Sequence, residues 1–539
     1  MTIFRVPDPI NEPISSYAKG TKERAELEVA LKELKFLQKD IPSVIGGKEF
    51  MSGKKVEISC PHNHKQILGT YYEVTETEVK EAIASCLDAY QAWSQTPWEH
   101  RAAIFLKAAD LLAGPYRAEM NAATMLAHSK NIFQSEIDAV CELVDFFRFN
   151  ARYMQEIYQN QPGSAPQIWD RTDHRPLEGF VFAVTPFNFV SISGNLAAAP
   201  AMLGNVVLWK PSETASYTSH LIMKIFQEAG LPDGVINMVL GDGPTVGNIA
   251  LTDKNLAGIH FTGSTATFQK MWKTVGENIS NYRAYPRIVG ETGGKNFIIA
   301  HHSANEDELV TAMIRGAFEF QGQKCSAASR CYIPSSFEDS VKKKLVAQIS
   351  ELKMGDPEDY FNFVNAVIDE RAFKKISGFI DYAKQDSSCE ILVGGEYDDT
   401  EGYFIRPTVV VTTDAHCKLI EEEIFGPVLT IYFYEDDKFE ETLSLLDSTS
   451  PYALTGAVFA IDRNAAILAE KRLRHAAGNF YINDKPTGAV VGQQPFGGGR
   501  GSGTNDKAGG IQNMLRWVSP RSIKENFVPP RNYKYPFMS

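Results

Sequence analysis

The sequence predicts an α/β protein built from two open, mainly parallel sheets. From residue 179 onward, short apolar runs rich in β-branched and aromatic residues alternate with segments of helical periodicity. The alternation starts again at residue 296, which indicates a second α/β unit. The length of 539 residues and an ordinary composition, 44% hydrophobic and 22% charged, allow each unit a sizeable core.

The elements follow in order along the chain. Residues 21–40 and 77–158 are predicted to be helical, because apolar residues recur there at spacings of three and four. The first series of strands is GFVFAV, NVVLW, GVINMVL and GIHFTG, with a helix over residues 217–229 that Gly230 closes. The second series is NFIIA, FIRPTVVV, PVLTIYFY, LTGAVFAI and NFYIND. We therefore assign residues 1–158 and 180–295 to one domain and 296–504 to the other.

Two segments belong to neither series. Residues 159–179 are polar, and residues 505–539 end in a proline-rich tail. They are predicted to form a protruding hairpin and an arm through which subunits contact each other.

The uncharged stretch 179–209 exceeds the length of a membrane span. Pro186, Gly194 and Pro200 interrupt it, and a lipid-exposed helix would leave polar backbone groups unsatisfied there. A buried strand, a loop, a helix and a second strand fit better, so no membrane partner is expected.

The charge balance and the cysteines exclude several classes of protein. The 54 Lys and Arg against 66 Asp and Glu give a net charge of -12, so nucleic acid is not an expected partner. The seven cysteines are too few for a disulfide framework and show no zinc-ligand spacing, so we expect a reducing compartment and no metal. The N-terminus carries Asp8 and Glu12, where a transit peptide avoids acids. The predicted location is the cytoplasm, or the mitochondrial matrix for a processed eukaryotic form.

Two strand ends can hold a dinucleotide. The run Lys210-Pro211-Ser212-Glu213 ends one strand, and Gly263-Ser264 ends another just before a helix. A carboxylate at a strand end can accept both ribose hydroxyls, and a helix N-terminus presents N–H groups to pyrophosphate. No Gly-x-Gly-x-x-Gly fingerprint is present, because the nearest pattern, at residues 241–247, has one residue too many. Taken alone, these motifs are also consistent with solvated loop charges and a turn glycine.

Three residues are candidates for catalysis. Cys325 lies in the polar run GQKCSA, where a thiol beside a cation can be a thiolate nucleophile. A lone cysteine is more often a core residue, which is what we expect for Cys331. Glu291 lies between the two domains and is either a general base or a hinge carboxylate. Asn188 follows a buried strand and is either an oxyanion donor or a turn residue.

Read together and in order, the motifs resemble those of the aldehyde dehydrogenase superfamily. They are PFN at Pro186, WKPSE at Trp209, FTGS at Phe261, ETGGK at Glu291, GQKC at Gly322, EEIFGPV at Glu422 and PFGG at Pro495. Within the superfamily, GQKCSA, VGQQPFGG and SGTNDKAGG look like the family of Δ1-pyrroline-5-carboxylate dehydrogenases, and the similarity runs from about residue 20 to the C-terminus. Phe268, where the wider superfamily usually has glycine, also fits that family.

The resemblance implies an aldehyde dehydrogenase-like fold, with a Rossmann-type NAD-binding domain first, a catalytic domain second and a small β oligomerisation flap. It implies NAD-dependent oxidation of L-glutamate γ-semialdehyde to L-glutamate, the second step of proline catabolism, through a cysteine thiohemiacetal and thioester. Cys325 is then the nucleophile, Asn188 the oxyanion donor and Glu291 the base. A homo-oligomer is implied, a dimer or an assembly of dimers, with a proline dehydrogenase as a candidate partner.

The resemblance also assigns the binding residues. Lys210, Pro211, Ser212 and Glu213 would hold the adenosine ribose, Gly263 and Ser264 the pyrophosphate, and Glu423 with Phe425 the nicotinamide ribose. The Glu213 carboxylate would repel a 2′-phosphate, which favours NAD over NADP. Ser326, Gly488 and Ala489 would hold the substrate α-carboxylate, with Phe189 and Phe496 beside the aliphatic chain. Glu142 is either the partner of the α-ammonium group or an exposed helix charge.

Three alternatives remain at this stage. The substrate could be another carboxylated semialdehyde such as succinate semialdehyde. A biosynthetic reductase shares the fold and the cysteine but would not need a base at Glu291. A non-catalytic scaffold would be expected to have lost Cys325, which is present.

Overall fold

The computed structural model describes residues 4–538. No helix in that range is long and apolar enough to cross a membrane. The elements of the first half are, in chain order, α1 (Lys22–Phe36), β1 (Lys39–Ile41), β2 (Ser43–Ile45), β3 (Lys48–Phe50), β4 (Lys55–Cys60), β5 (Asn63–Tyr72), α2 (Glu76–Gln95), α3 (Trp98–Ala113), α4 (Arg117–His128), α5 (Ile132–Ser135), a π-helical turn (Glu136–Glu142), α6 (Leu143–Gln159), β6 (Ile168–Arg175), β7 (Phe180–Val184), α7 (Val190–Met202), β8 (Val206–Lys210), α8 (Ser216–Ala229), β9 (Ile236–Met238), α9 (Gly243–Thr252), β10 (Leu256–Thr262), α10 (Thr265–Glu277) and β11 (Arg287–Glu291).

The first sheet has seven strands in the order β11-β10-β7-β8-β9-β2-β3. The five strands from β11 to β9 are parallel, and β2 and β3 extend the edge in the antiparallel sense. After β7 the chain continues to β8 on one side of it, and after β9 it crosses to β10 on the other. Such a reversal opens a crevice at the carboxyl ends of the strands, which is where parallel sheets bind ligands.

The N-terminal region differs from the prediction in its strands. Apart from the hairpin segment 159–179, the sequence predicted no strand before residue 179, yet five lie between residues 39 and 72. Three of them are only three residues long, too short for a periodic signal. The predicted helical region 77–158 comprises four longer helices, the short α5 and the π-helical turn.

The second half contains, in chain order, β12 (Asn296–Ala300), α11 (Glu306–Phe318), β13 (Ala328–Pro334), α12 (Glu338–Glu351), β14 (Lys353–Met354), β15 (Asn362–Val364), α13 (Glu370–Gln385), β16 (Cys389–Val393), β17 (Tyr397–Asp398), β18 (Phe404–Ile405), β19 (Thr408–Thr412), α14 (Lys418–Glu421), β20 (Val428–Tyr434), α15 (Phe439–Ser448), β21 (Tyr452–Ala453), β22 (Thr455–Phe459), α16 (Arg463–Arg472), β23 (Asn479–Ile482), β24 (Gly499–Arg500), α17 (Ile511–Leu515) and β25 (Ser519–Asn526). Its main sheet has the order β16-β19-β20-β13-β12-β22-β23. All neighbours in it are parallel except the pair β16 and β19. The α/β class with two open, mainly parallel sheets is therefore confirmed.

The two segments outside the sheets pair with each other. β25 runs antiparallel to β6 along its whole length, from Ser519 opposite Arg175 to Asn526 opposite Ile168. The predicted hairpin is thus a two-stranded ribbon whose strands are about 350 residues apart in the chain. The predicted arm is shorter than residues 505–539, because Met514, Trp517 and Val518 pack in the core of the first unit.

Candidate active site

A cleft of about 640 Å³ lies at the carboxyl ends of β7, β8 and β10. A volume of this size is within the usual range for ligand sites. Most of the residues predicted to bind the cofactor line it, namely Lys210, Ser212, Glu213, Gly263, Ser264, Glu423 and Phe425. Pro211 is buried and is not among the lining residues. Cys325 and Asn188 also line the cleft, so one continuous space joins the predicted cofactor site to the predicted nucleophile.

The adenosine end of the cleft is formed where β8 stops. Lys210, the last residue of β8, is buried, and its Nζ lies 2.6 Å from Oε1 of Glu213. Opposite them, Ser264 caps α10 by accepting a hydrogen bond from the N–H of Thr267 at 3.2 Å. The first turn of α10 therefore presents backbone N–H groups to the cleft, as a pyrophosphate site requires.

The start of α9 also contributes to the cleft, although its glycines do not match the dinucleotide-binding fingerprint. Asp242, Gly243 and Gly247 at the start of α9 also line the cleft, although their spacing misses the dinucleotide fingerprint. The extra residue changes the spacing of the glycines, but the start of the helix still lines the cleft.

The other end of the cofactor cleft is formed by the loop that precedes β20. Glu423 accepts a hydrogen bond from the N–H of Gly294 at 2.8 Å, and burial raises the pKa of its carboxyl group. Phe425 has a left-handed φ of 63°, and its ring meets that of Phe187 edge to face at 6.1 Å. A side chain on Gly293 would approach within 2.8 Å of a Glu423 oxygen, so Glu423 would have to move to admit it.

Cys325 lies on the loop between α11 and β13. Phe320 and Gln321 in this loop have φ values of 50° and 55°, a backbone conformation that costs energy for residues other than glycine. Cys325 is 8% exposed, and burial raises the pKa of its thiol, with Glu291, Glu423 and Glu142 adding to the effect. The cation expected beside it, Lys324, pairs with Glu319, with 3.0 Å between Nζ and the carboxylate. Burial and the nearby carboxylates therefore favour the neutral thiol, so its attack on an aldehyde requires a base. Cys331 is fully buried in β13.

Asn188 comes to the same place from the first sheet. It lies on the loop between β7 and α7, and its Nδ2 donates to the backbone oxygen of Gln323 at 3.1 Å. This bond joins the Asn188 loop to the Cys325 loop. A side-chain amide has a second N–H, so Asn188 can still donate to another acceptor.

Glu291 is the last residue of β11, next to the junction of the two units. Burial raises the pKa of its carboxyl group well above the ordinary value, and Asp506 raises it further. The N–H of Gly498, which donates to Oε2 at 3.3 Å, and the Lys507 ammonium act in the opposite direction. A carboxyl group with a raised pKa is the kind that can act as a general base near neutral pH.

The residues assigned to the substrate carboxylate also meet. The Ser326 hydroxyl lies 2.8 Å from that of Thr487, which immediately precedes Gly488 and Ala489. Gly488 has a φ of 96°, so this turn requires glycine. Lys485, which the sequence analysis missed, donates from Nζ to the oxygen of Thr487 at 3.3 Å and brings a cation to this turn.

The remaining substrate candidates differ in their surroundings. Phe496 is partly buried and pairs with Ala508 in an antiparallel bridge. Phe189 precedes α7, with Nζ of Lys130 4.9 Å from its ring centre. Glu142 is not an exposed helix charge, because it lies in the π-helical turn and accepts a hydrogen bond from Ser191 at 2.9 Å. Burial raises the pKa of its carboxyl group to about 8.

Neither a metal cluster nor a disulfide is found in the part of the chain that the structure describes. No three His, Cys, Asp or Glu side chains within residues 4–538 come together as metal ligands. All seven cysteines are free.

The sequence and the fold are similar to those of known proteins. Residues 50–523 match the aldehyde dehydrogenase family. The mitochondrial Δ1-pyrroline-5-carboxylate dehydrogenase of Dictyostelium discoideum is 49% identical over 536 residues, covering 99% of this chain and 96% of the relative. The crystal structure of the Δ-pyrroline-5-carboxylate dehydrogenase from Mycobacterium tuberculosis bound with NAD matches with a TM-score of 0.97 and 52% identity over 100% and 99% of the two chains. Proline utilization A from Bdellovibrio bacteriovorus matches with a TM-score of 0.91 and 31% identity, over 96% of this chain and 53% of that one. The chain therefore belongs to the aldehyde dehydrogenase family.

Proposed function

We propose that this protein oxidises L-glutamate γ-semialdehyde, the open form of Δ1-pyrroline-5-carboxylate, to L-glutamate with NAD. The observation that carries the proposal is the single cleft that runs from the Lys210–Glu213 pair to Cys325 and Asn188. Relatives of nearly equal length carry that activity in their names, and one of them is bound with NAD. The reaction is the second step of proline catabolism.

The residues of the cleft fit NAD. Glu213 offers a carboxylate to ribose hydroxyls and would repel a 2′-phosphate. Ser264 and the start of α10 suit a pyrophosphate, and Glu423 suits the ribose next to Cys325. When bound, NAD supplies the acceptor for a hydride.

The chain's own residues supply the rest of the chemistry. Cys325 loses its proton to a base and bonds to the aldehyde carbon, and the Asn188 amide with the Cys325 N–H holds the oxyanion. Loss of hydride from that carbon leaves a thioester on Cys325. Glu291 then takes a proton from water, which attacks the thioester and releases the acid and the thiol. The raised pKa of Glu291 supports this role.

Recognition of the substrate rests on its polar ends. Ser326, Gly488 and Ala489 hold the α-carboxylate, and the Lys485 ammonium lies next to them. Phe189 and Phe496 flank the chain, and Glu142 takes the α-ammonium group. A site built around a buried anion discriminates strongly against a ligand without one.

The proposed partners and location follow the same relatives. We propose a homo-oligomer formed through the ribbon of β6 and β25, and a proline dehydrogenase as the partner that supplies pyrroline-5-carboxylate. The free cysteines and the mitochondrial relative support a reducing compartment, the cytoplasm or the mitochondrial matrix.

A steady-state comparison of substrates tests the proposal. Pyrroline-5-carboxylate should be used with a kcat/KM at least about a hundredfold above that of pentanal, which corresponds to about 3 kcal/mol of recognition. NAD should be preferred to NADP.

A pair of serine variants locates the source of that preference. Ser326→Ala should reduce the ratio of the two kcat/KM values, mainly by lowering kcat/KM for pyrroline-5-carboxylate. Ser335→Ala, at an exposed serine of the same unit, should leave the ratio unchanged. Equal use of both aldehydes would indicate a general aldehyde dehydrogenase, and a preference for succinate semialdehyde would move the function to that substrate.

A further inference from the structure

Lys130 is a buried lysine that the mechanism above does not use. It lies between α4 and α5 and is 1% exposed. Its Nζ lies 2.5 Å from Oδ2 of Asp138 and 2.6 Å from the backbone oxygen of Asn188. The ring centre of Phe320 is 4.2 Å away. A buried ammonium group with this many partners is held in one position.

The first set of contacts fixes the Asn188 loop. Besides Lys130, Asp138 binds the N–H groups of Val190 and Ser191, the first two residues of α7, at 3.1 Å each. Asp138 thus caps α7 from the neighbouring π-helical turn, and Lys130 holds the backbone of Asn188 just before it. The two peptides that follow the Asn188 side chain are therefore anchored to the same ion pair.

The second set of contacts fixes the Cys325 loop. Lys130 lies over the ring of Phe320, and its neighbour Ser129 accepts a hydrogen bond from Nε2 of Gln321 at 3.1 Å. Phe320 and Gln321 are the two non-glycine residues with left-handed φ in that loop, so these contacts hold a strained turn in place. Ser129 itself has a φ of 53°.

We propose that Lys130 is a positioning residue that fixes the Asn188 amide relative to Cys325. The two groups come from different sheets, and an oxyanion donor acts only within about 2.7–3.1 Å of the oxygen it stabilises. Lys130 contacts both loops and so couples their positions. The inference rests on the proposed function, because it takes Asn188 as the oxyanion donor.

A double-mutant cycle tests the coupling. The variants are Lys130→Met, Asn188→Ala and the two together, with the NADH burst rate constant on pyrroline-5-carboxylate as the readout. Asn188→Ala should slow the burst by about 10²–10³-fold. Lys130→Met should slow it by at least about tenfold, and in the Asn188→Ala background it should have almost no further effect.

Three further experiments separate positioning from loss of folded protein. Alkylation of Cys325 by iodoacetamide builds no oxyanion, so its rate in Lys130→Met should stay within about twofold of wild type. Arg101→Met, which removes another buried cation bound to backbone oxygens, should leave the burst rate constant unchanged. Asp138→Asn keeps the side-chain volume, and it should give the same non-additive pattern if Lys130→Met does not fold.

The outcomes are distinct. Effects of Lys130→Met and Asn188→Ala that multiply would overturn the inference, and so would a reduced burst amplitude with an unchanged rate constant. A wild-type burst in Asn188→Ala would instead refute the oxyanion role of Asn188 in the proposed function, and the inference would fail with it.

Discussion

Replacing Glu291 by glutamine is expected to separate oxidation of the aldehyde from hydrolysis of the thioester. Glutamine has nearly the same shape and keeps an oxygen for the Gly498 N–H, which donates to Glu291 at 3.3 Å, but it cannot accept a proton from water. The steps up to hydride loss need no base at this position once the Cys325 thiol is deprotonated. The variant should therefore accumulate the thioester.

The expected magnitude follows from the role and the burial of Glu291. Loss of a general base costs about 10²–10⁴-fold in rate, which is about 3–5 kcal/mol on the barrier to deacylation. Burial raises the pKa of this carboxyl group in the folded protein, so the folded state binds the proton more tightly than the unfolded state does. Stability is therefore lost as pH rises from the unfolded pKa through the folded one. Glutamine cannot ionise, so the variant should be more stable than wild type at pH 8 and no more stable at pH 4.

Stopped-flow absorbance of NADH and a pair of denaturation curves measure both effects. A burst of about one NADH per active site should precede a slow steady state. Glu78→Gln, at a buried glutamate that caps α2, is the control and should show neither change. Loss of the burst itself would refute the reasoning, because it would mean that Glu291 is needed to deprotonate Cys325.

Three other predictions concern the nucleophile, the proposed partner of the α-ammonium group and a charge near Glu291. Cys325→Ala should abolish turnover while a fluorescence titration shows unchanged NAD binding, whereas Cys331→Ala, fully buried in β13, should keep near-wild-type turnover. Glu142→Gln should raise the KM for the semialdehyde several-fold at pH 9 and hardly at pH 6. The reason is that the wild-type carboxyl group, with a pKa of about 8, is already neutral at pH 6. Equal effects on KM at both pH values would contradict an ionic role of Glu142. Asp506→Asn removes a charge that raises the pKa of Glu291, so the rise of the deacylation rate with pH should move to lower pH. A move to higher pH would contradict the inferred effect of Asp506 on the Glu291 pKa.

The placement of the motifs at the ends of strands could be predicted from the sequence, because it depends on local pattern. Continuous apolar runs predict buried parallel strands, and a polar group after such a run comes to the carboxyl edge of the sheet. Lys210 and Ser264 follow this rule, and both lie at that edge. Glu291 lies there too, but the strand that it ends, β11, was not predicted. The functional roles of individual residues came from the resemblance of whole motifs, since a single cysteine or asparagine has several ordinary explanations.

The tertiary structure alone decided what lies next to these residues. Lys130 belongs to no motif, and its contacts with Asn188 and Phe320 join segments 58 and 190 residues away in the chain. The pairing of β6 with β25 is equally remote, and no local pattern encodes it. The surroundings of the Cys325 thiol also depend on the tertiary structure. The sequence places Lys324 next to Cys325, but in the folded protein Lys324 pairs with Glu319, and carboxylates near the thiol help to raise its pKa. The pKa of a side chain depends on burial and on charges brought near it through space, which only the folded chain determines.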